Sequence, residues 1–236
     1  AKIVPNLVGV DIGCGMYTVS LGTPDIDLAR LDAACHLVPS GKNAWEERME
    51  RFDLTRLRCY RALSRTKWIE KSLGTLGGGN HFIEIDRAED GGQYLVIHTG
   101  SRNLGKQVAE YYQNLAAELH QGKEEYFRKK DALIAEYKAA GRRREIESAL
   151  KELHWKHKEL LIPEDLCWLY GSWMEDYLHD VEICQEFALR NRELIGRILL
   201  ERTGIAGTDG FHTVHNYIDT RECLNLEDYR RAMEGI

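Results

Sequence analysis

Val8, Val10 and Ile12 alternate with other positions, Gly13-Cys14-Gly15 interrupts them, and Tyr17, Val19 and Leu21 resume the same period of two. This alternation predicts two short strands around a glycine turn. Ala1-Lys2-Ile3-Val4 reads like the inside of a further strand, so the expectation is that the natural chain begins earlier. Asp27 to Leu37 predicts a helix with an Asp near its start, ended by Pro39-Ser40-Gly41. Phe52 to Leu73 is helical in pattern, with a break at Ser64. After Gly74-Thr75-Leu76-Gly77-Gly78-Gly79-Asn80, His81 to Asp86 and Gln93 to Thr99 predict two strands joined by the turn Glu89-Asp90-Gly91-Gly92. Gly100-Ser101-Arg102-Asn103 then opens a helix with Leu104, Val108, Tyr111, Leu115 and Leu119 on one face. Lys123 to Leu160 is charged and helical, breaking at Gly141, which predicts a hairpin inserted at 123–160. Pro163 opens another helical stretch, and Val181 to Arg202 predicts a helix carrying Phe187, Leu189, Leu194, Ile195 and Leu199. No repeat, low-complexity linker or shift in composition divides the 236 residues. The expectation is a single α+β domain over 1–236, with a mixed, largely antiparallel core sheet, peripheral helices and a projecting charged helical hairpin.

Composition adds three constraints. The chain is 43% hydrophobic and 30% charged, as ordinary globular proteins are. No run approaches the roughly 18 apolar residues of a membrane span, and no basic start or apolar signal core appears, so no membrane partner is expected. The formal net charge of −6 works against bulk affinity for nucleic acid, which comes from Lys and Arg. Any RNA contact must be local, around clustered cations. Arg142-Arg143-Arg144 reads first as a solvated face, with RNA contact the weaker reading. None of the six cysteines (Cys14, Cys35, Cys59, Cys167, Cys184, Cys223) forms a Cys-x-x-Cys pair or a disulfide framework. They read as reduced thiols of a cytoplasmic protein, and as core filler except for Cys14.

The candidate chemistry starts at Asp11-Ile12-Gly13-Cys14-Gly15, where glycine frees the backbone to turn a carboxylate and a thiol into one site. Together they can bind a divalent metal with imidazoles completing the sphere; the alternative is a strand-end Asp and a buried Cys. His81 starts one predicted strand and His98 ends the next, so a hairpin would bring both to one sheet end. His215, beside Asn216, can add a third nitrogen. His36, His120, His154, His157, His179 and His212 have no comparable setting, and several fall in charged helices and read as surface residues, His154 and His157 among them. The glycine run lies between helix and strand and fails the dinucleotide fingerprint, and no Gly-Lys-Ser/Thr follows it. It reads as room for a bulky ligand beside Asn80 and His81, or as a plain turn. Gly100-Ser101-Arg102-Asn103 sits where helix amides favour an anion and Arg102 can contact phosphate; a cap by Ser101 or Asn103 explains it equally.

These motifs resemble the RtcB family of RNA ligases. The matching segments are Val10-to-Gly15 (VDIGCG), Gly74-to-Ile85 (GTLGGGNHFIEI), His98-to-Gly105 (HTGSRNLG) and Val214-to-Asn216 (VHN), in the family's order, with Phe52-to-Leu63 and Met174-to-Ile195 also similar. The resemblance implies a ligase that joins an RNA 3′-phosphate or 2′,3′-cyclic phosphate to a 5′-hydroxyl in RNA repair or tRNA splicing. It implies GTP and manganese as cofactors, and a histidine that becomes guanylylated. It implies Asp11, Cys14, His81, His98 and His215 as ligands of a two-metal site, where zinc can substitute. It further implies Asn80, Glu84 and Asn216 as guanylate contacts and Arg102 in the RNA phosphate site. Whether an activating protein takes part is left open.

One departure bears on catalysis. The family's guanylylated histidine lies in a His-Gly-Ala-Gly-Arg type motif downstream of His-Asn, and this chain has none, so no catalytic nucleophile is assigned. After Asp219 the chain passes to Leu224-to-Ile236 (LNLEDYRRAMEGI), which resembles a helix beyond that histidine; the family's opening strands are also missing. The expectation is that these residues are joined parts of a longer protein. The alternatives are a non-ligating metal- and nucleotide-binding relative that recognises RNA ends, and a metal-dependent phosphoesterase.

Overall fold

A computed structural model describes residues 1–218; Cys223 and the stretch Leu224 to Ile236 lie outside the described residues. In chain order the elements are β1 (Lys2–Ile3), β2 (Gly15–Gly22), α1 (Leu28–Cys35), α2 (Thr66–Lys71), β3 (Phe82–Arg87), β4 (Gln93–Thr99), α3 (Arg102–His120), α4 (Lys123–Ala139), α5 (Ile146–Lys151), β5 (Leu169–Tyr170), α6 (Gly171–Thr203) and β6 (Gly210–Val214). The main sheet has the order β3-β4-β2-β6, and every ladder in it is antiparallel. β1 pairs antiparallel with β5, and the only parallel pairing among the described residues is an isolated bridge from Ser40 to Gly77. This is the expected α+β architecture.

The core lies between the sheet and the helices α3 and α6. Leu95 and Ile97 of β4 and Val19 of β2 join Leu104, Val108 and Tyr112 of α3 and Phe187, Ile195 and Leu199 of α6 in one buried cluster. α6, with 33 residues, is the central support. Among the described residues no helix is long and apolar enough to cross a membrane.

The sequence periods hold where a single face decides the element. The hairpin β3–β4 forms with Phe82 opposite His98, and Asp27 caps α1 by accepting from the Arg30 N–H. Five expectations need correction. Val8 to Ile12 is no strand: a turn closes there when the Cys14 N–H donates to the Asp11 carbonyl at 3.0 Å, with Gly13 at φ +78°. Phe52 to Leu73 is helical only in fragments, 3-10 turns at Leu54–Arg56 and Tyr60–Ala62 followed by α2. There the Arg58 and Cys59 N–H groups donate to the Asp180 carboxylate at 2.8 and 3.0 Å, not to helix carbonyls. On α3 the buried tyrosine is Tyr112, whose hydroxyl donates to Asp180 at 2.9 Å, while Tyr111 is exposed. On α6, likewise, Leu189 is exposed. Beyond the break at Gly141 the returning arm is helical only over a 3-10 turn and α5; residues 153–160 are irregular, tied back to the end of α3 at the Gln121 carbonyl.

Asp180 is fully buried and holds three donors from two other segments. Asp180→Ala strands all three and is expected to lower unfolding stability by roughly 2–5 kcal/mol in urea titration. An unchanged midpoint would contradict this role.

Candidate metal centre

The turn at Asp11–Cys14 faces the open end of the β3–β4 hairpin. Asn216 holds it from one side: the Gly13 N–H donates to the Asn216 carbonyl at 2.9 Å, and Asn216 Nδ2 donates to the Asp11 carbonyl at 3.0 Å. Arg192 holds it from below, with Nη1 donating to the Gly13 and Thr99 carbonyls at 2.9 and 2.8 Å. Asn191, next to it, accepts from the Gly74 and Thr75 N–H groups and donates to the Gly100 carbonyl. One dipeptide of α6 thus sets the position of three loops.

Five side chains converge as a result. The Cys14 sulfur lies 3.5 Å from His81 Nε2 and 3.4 Å from His98 Nε2. His98 Nε2 lies 3.5 Å from His215 Nε2, and His81 Nε2 lies 2.9 Å from Asp11 Oδ2. They form two overlapping groups, Asp11–Cys14–His81 and Cys14–His98–His215, that share the thiol. A tetrahedral centre with bonds of about 2.1–2.3 Å spaces its ligand atoms about 3.4–3.6 Å apart, and an octahedral one about 3 Å.

The donor chemistry fits a cation. His98 Nδ1–H donates to the Asn80 carbonyl at 3.0 Å, which leaves the Nε2 lone pair facing the cluster. Burial, helped by the neighbouring His81 and His215, pushes the His98 pKa down against the Asn80 bond, so the ring is neutral at pH 7. His81 Nδ1 meets the Leu76 carbonyl at 2.9 Å while its Nε2 meets the Asp11 carboxylate. A neutral ring has one N–H for these two acceptors, so Nε2 needs either a second proton or a cation. Asp11 Oδ1 is buried without a hydrogen-bond partner, against Gly100, where a Cβ would sit 2.2 Å from it. Burial raises the Asp11 carboxyl, but His81 overcomes this and holds it below the usual range. Burial, then the Asp11 charge, pushes the Cys14 thiol up to about 12. A bound cation would therefore displace a proton from sulfur.

Beside this cluster is a cleft of about 490 Å³. Asp11 and His81 line one side, and Lys42, Arg65, Arg102 and Lys106 supply positive charge. Arg65 and Arg102 are the only non-glycine residues with positive φ among the described residues, at 52° and 60°. Strain of this kind persists only where surrounding contacts impose it. Arg102 Nε donates to Thr75 Oγ1 at 3.0 Å and Nη2 to the Gly41 carbonyl at 2.9 Å. Its guanidinium occupies the space left by Gly77, where a Cβ would lie 1.8 Å from Nη1. The glycine run thus makes room for an internal arginine. Ser101 does not cap α3; its hydroxyl donates to the Ile12 carbonyl at 2.5 Å. Asn80 and Glu84 are exposed, and among the described residues no partner bonds either side chain. His212 is half-buried and stacks on Tyr17 at 4.3 Å.

A family model described as tRNA-splicing ligase RtcB matches residues 42–222. The chain belongs to the RtcB family. The match begins after Asp11 and Cys14, so the structure is what ties these two to the RtcB-matched histidines. An RNA-splicing ligase RtcB of Escherichia coli is 36% identical over 140 residues, covering 48% of this chain and 34% of that protein. An RNA-splicing ligase RtcB2 from another Escherichia coli strain is 31% identical over 148 residues, covering 51% and 33%. A tRNA-splicing ligase RtcB of Aeropyrum pernix is 43% identical over 56 residues, covering 18% and 12%. The chain matches about a third of the length of the Escherichia coli relatives.

The sequence reading passed over Asn191 and Arg192. A signal was present, since Asn191 stands four residues after Phe187 and four before Ile195 on the buried stripe of α6. Lys42, Arg65 and Lys106 carried none, because only the fold brings them to one cleft. The shared thiol makes a graded prediction for metal analysis of manganese-loaded protein. Cys14→Ala is expected to lose both ions and His215→Ala only one. Equal metal content in all three proteins would contradict it.

Proposed function

We propose that this chain forms the metal-, guanylate- and phosphate-binding part of a cytoplasmic RNA ligase. The reaction would join an RNA 3′-phosphate or 2′,3′-cyclic phosphate to a 5′-hydroxyl through a guanylylated intermediate, using GTP and manganese, in RNA repair or tRNA splicing. The observation that carries this is the five-donor cluster opening onto the Arg102 cleft in a chain of the RtcB family.

Asp11, Cys14, His81, His98 and His215 would hold two divalent ions. Such ions neutralise phosphoryl oxygens and the charge that develops as the phosphoryl group transfers. The protein's own part is positioning. Asn80 and Asn216 each fix the cluster through a backbone or amide contact, to His98 and to Asp11 respectively. With the exposed Glu84 they would meet the guanylate. Arg102, held by Thr75 and Gly41, would orient the RNA end, with Lys42, Arg65 and Lys106 adding charge around it. A second reading is a binder of nucleotide and RNA ends that does not ligate. Intact mass after incubation with GTP and manganese separates the two: an added guanylate supports ligation, and binding without an adduct supports the second reading.

The phosphate role has its own test. Arg102→Lys cannot keep both guanidinium contacts. It is expected to cut the preference for a 3′-phosphate over a 3′-hydroxyl trinucleotide by about tenfold while metal content is kept. An unchanged preference would remove Arg102 from the phosphate site.

A further inference from the structure

The metal cluster and its cleft leave a basic segment of the chain without a role. Residues 123–160 hold eleven Lys and Arg against eight Asp and Glu, a net +3; the whole chain is at −6, so the rest stands at −9. Much of this positive charge is open to solvent, because α4 buries none of its residues. Ion pairs take up Lys123, Lys129, Arg142, Lys151 and Lys158. Arg128, Arg143, Arg144 and Lys156 are exposed and form no ion pair among the described residues.

Aromatic rings are built into the same segment. The returning arm is anchored where the Lys158 N–H donates to the Gln121 carbonyl at 2.9 Å and the Trp155 indole N–H to the same oxygen at 3.4 Å. Between this arm and α4 lies a cavity of about 540 Å³, walled by Tyr126, Leu153, Trp155 and His157, with Lys129 and Lys156 in its lining. The rings of Trp155 and His157 stack with centroids 3.7 Å apart, and His157 is exposed. Of the two carboxylates in the lining, Glu125 is paired with Lys129 at 2.8 Å and Lys158 at 3.4 Å; Glu152 is the other.

We propose that this arm is a second docking site for the RNA, in which an unpaired base extends the Trp155–His157 stack, Lys156 in the same lining holds its phosphate, and Arg143 and Arg144 beyond the far end of α4 hold phosphates further along the strand. Stacking platforms beside positive charge bind single strands without reading their sequence. The proposal rests on the RNA reading of the metal site and adds a distance to it. Arg102 begins α3 and the arm is tied to its far end; 19 residues at 1.5 Å each separate the two by about 28 Å. A strand with one end at Arg102 would need roughly eight stacked nucleotides, at about 3.4 Å each, to reach the arm.

The test is fluorescence anisotropy on the full chain loaded with manganese, using 3′-phosphorylated single strands of about three and about twenty nucleotides. The variants are Arg143→Glu/Arg144→Glu/Lys156→Glu and, separately, His157→Ala, which leaves the charge in place. Both are expected to weaken the long strand about tenfold and leave the short one unchanged, and the triple variant also to flatten the salt dependence. Long-strand affinity unchanged in both variants would overturn the proposal and leave the arm to an acidic protein. If the wild-type chain binds neither strand, the RNA reading itself fails and the second docking site with it. Loss of the short strand in the Arg102 variant alone tests the first site independently.

Discussion

The Arg192 guanidinium, fully buried in α6, is the contact on which the site's geometry depends. Its Nη1 bridges the Gly13 and Thr99 carbonyls and so fastens the Asp11–Cys14 turn to the end of β4. Burying an arginine costs several kcal/mol unless its hydrogen bonds and nearby negative charge offset it. Burial lowers its pKa to about 10, against the pull of Cys14 and Asp11, so it stays charged at neutral pH. A charge held there favours a negative group just above it, which is what a metal-bound thiolate and a carboxylate would provide. The sheet register completes the arrangement: Gly15 pairs with Thr99 on one side and Val214 on the other, which sets His98 and His215 beside Cys14.

Much of this fold was legible in the sequence, for physical reasons that can be named. The β3–β4 hairpin and α3 were readable because each has one buried face and a clear turn. Tyr111 and Tyr112 both fit the helical period of α3, and only the Asp180 bond distinguishes the buried one. Val8 to Ile12 departs from its strand pattern because a local turn closes at Asp11–Cys14, and Phe52 to Leu73 from its helical pattern because the Arg58 and Cys59 N–H groups donate to the distant Asp180. The five site residues were singled out individually, but their convergence spans separations of 67 to 117 residues in the contacts that join the cysteine and histidines, which no local spacing encodes. The supporting Asn191 and Arg192 looked like ordinary helix residues until the core was built around them.

The acidic net charge, which argued against nucleic acid, takes on a different meaning once charge is placed in space. Cations gather in the cleft beside Asp11 and His81 and in the arm beyond α3, although the chain as a whole is at −6. Binding to phosphates depends on local Lys and Arg, and a negative remainder discourages contact elsewhere. The Asp11 carboxylate in the wall of that cleft fits the same pattern, because a divalent ion held by Asp11, Cys14 and His81 would offset its repulsion of phosphate.

The shared Cys14 thiolate is the central claim, and cobalt(II) titration tests it most directly. Cobalt bound through sulfur absorbs by thiolate-to-metal charge transfer. The band is expected to grow until two ions are bound per chain and to be absent in Cys14→Ser, which keeps the shape of the side chain. Cobalt binding without that band, or a band that persists in Cys14→Ser, would contradict the placement of the thiol at the centre of the site.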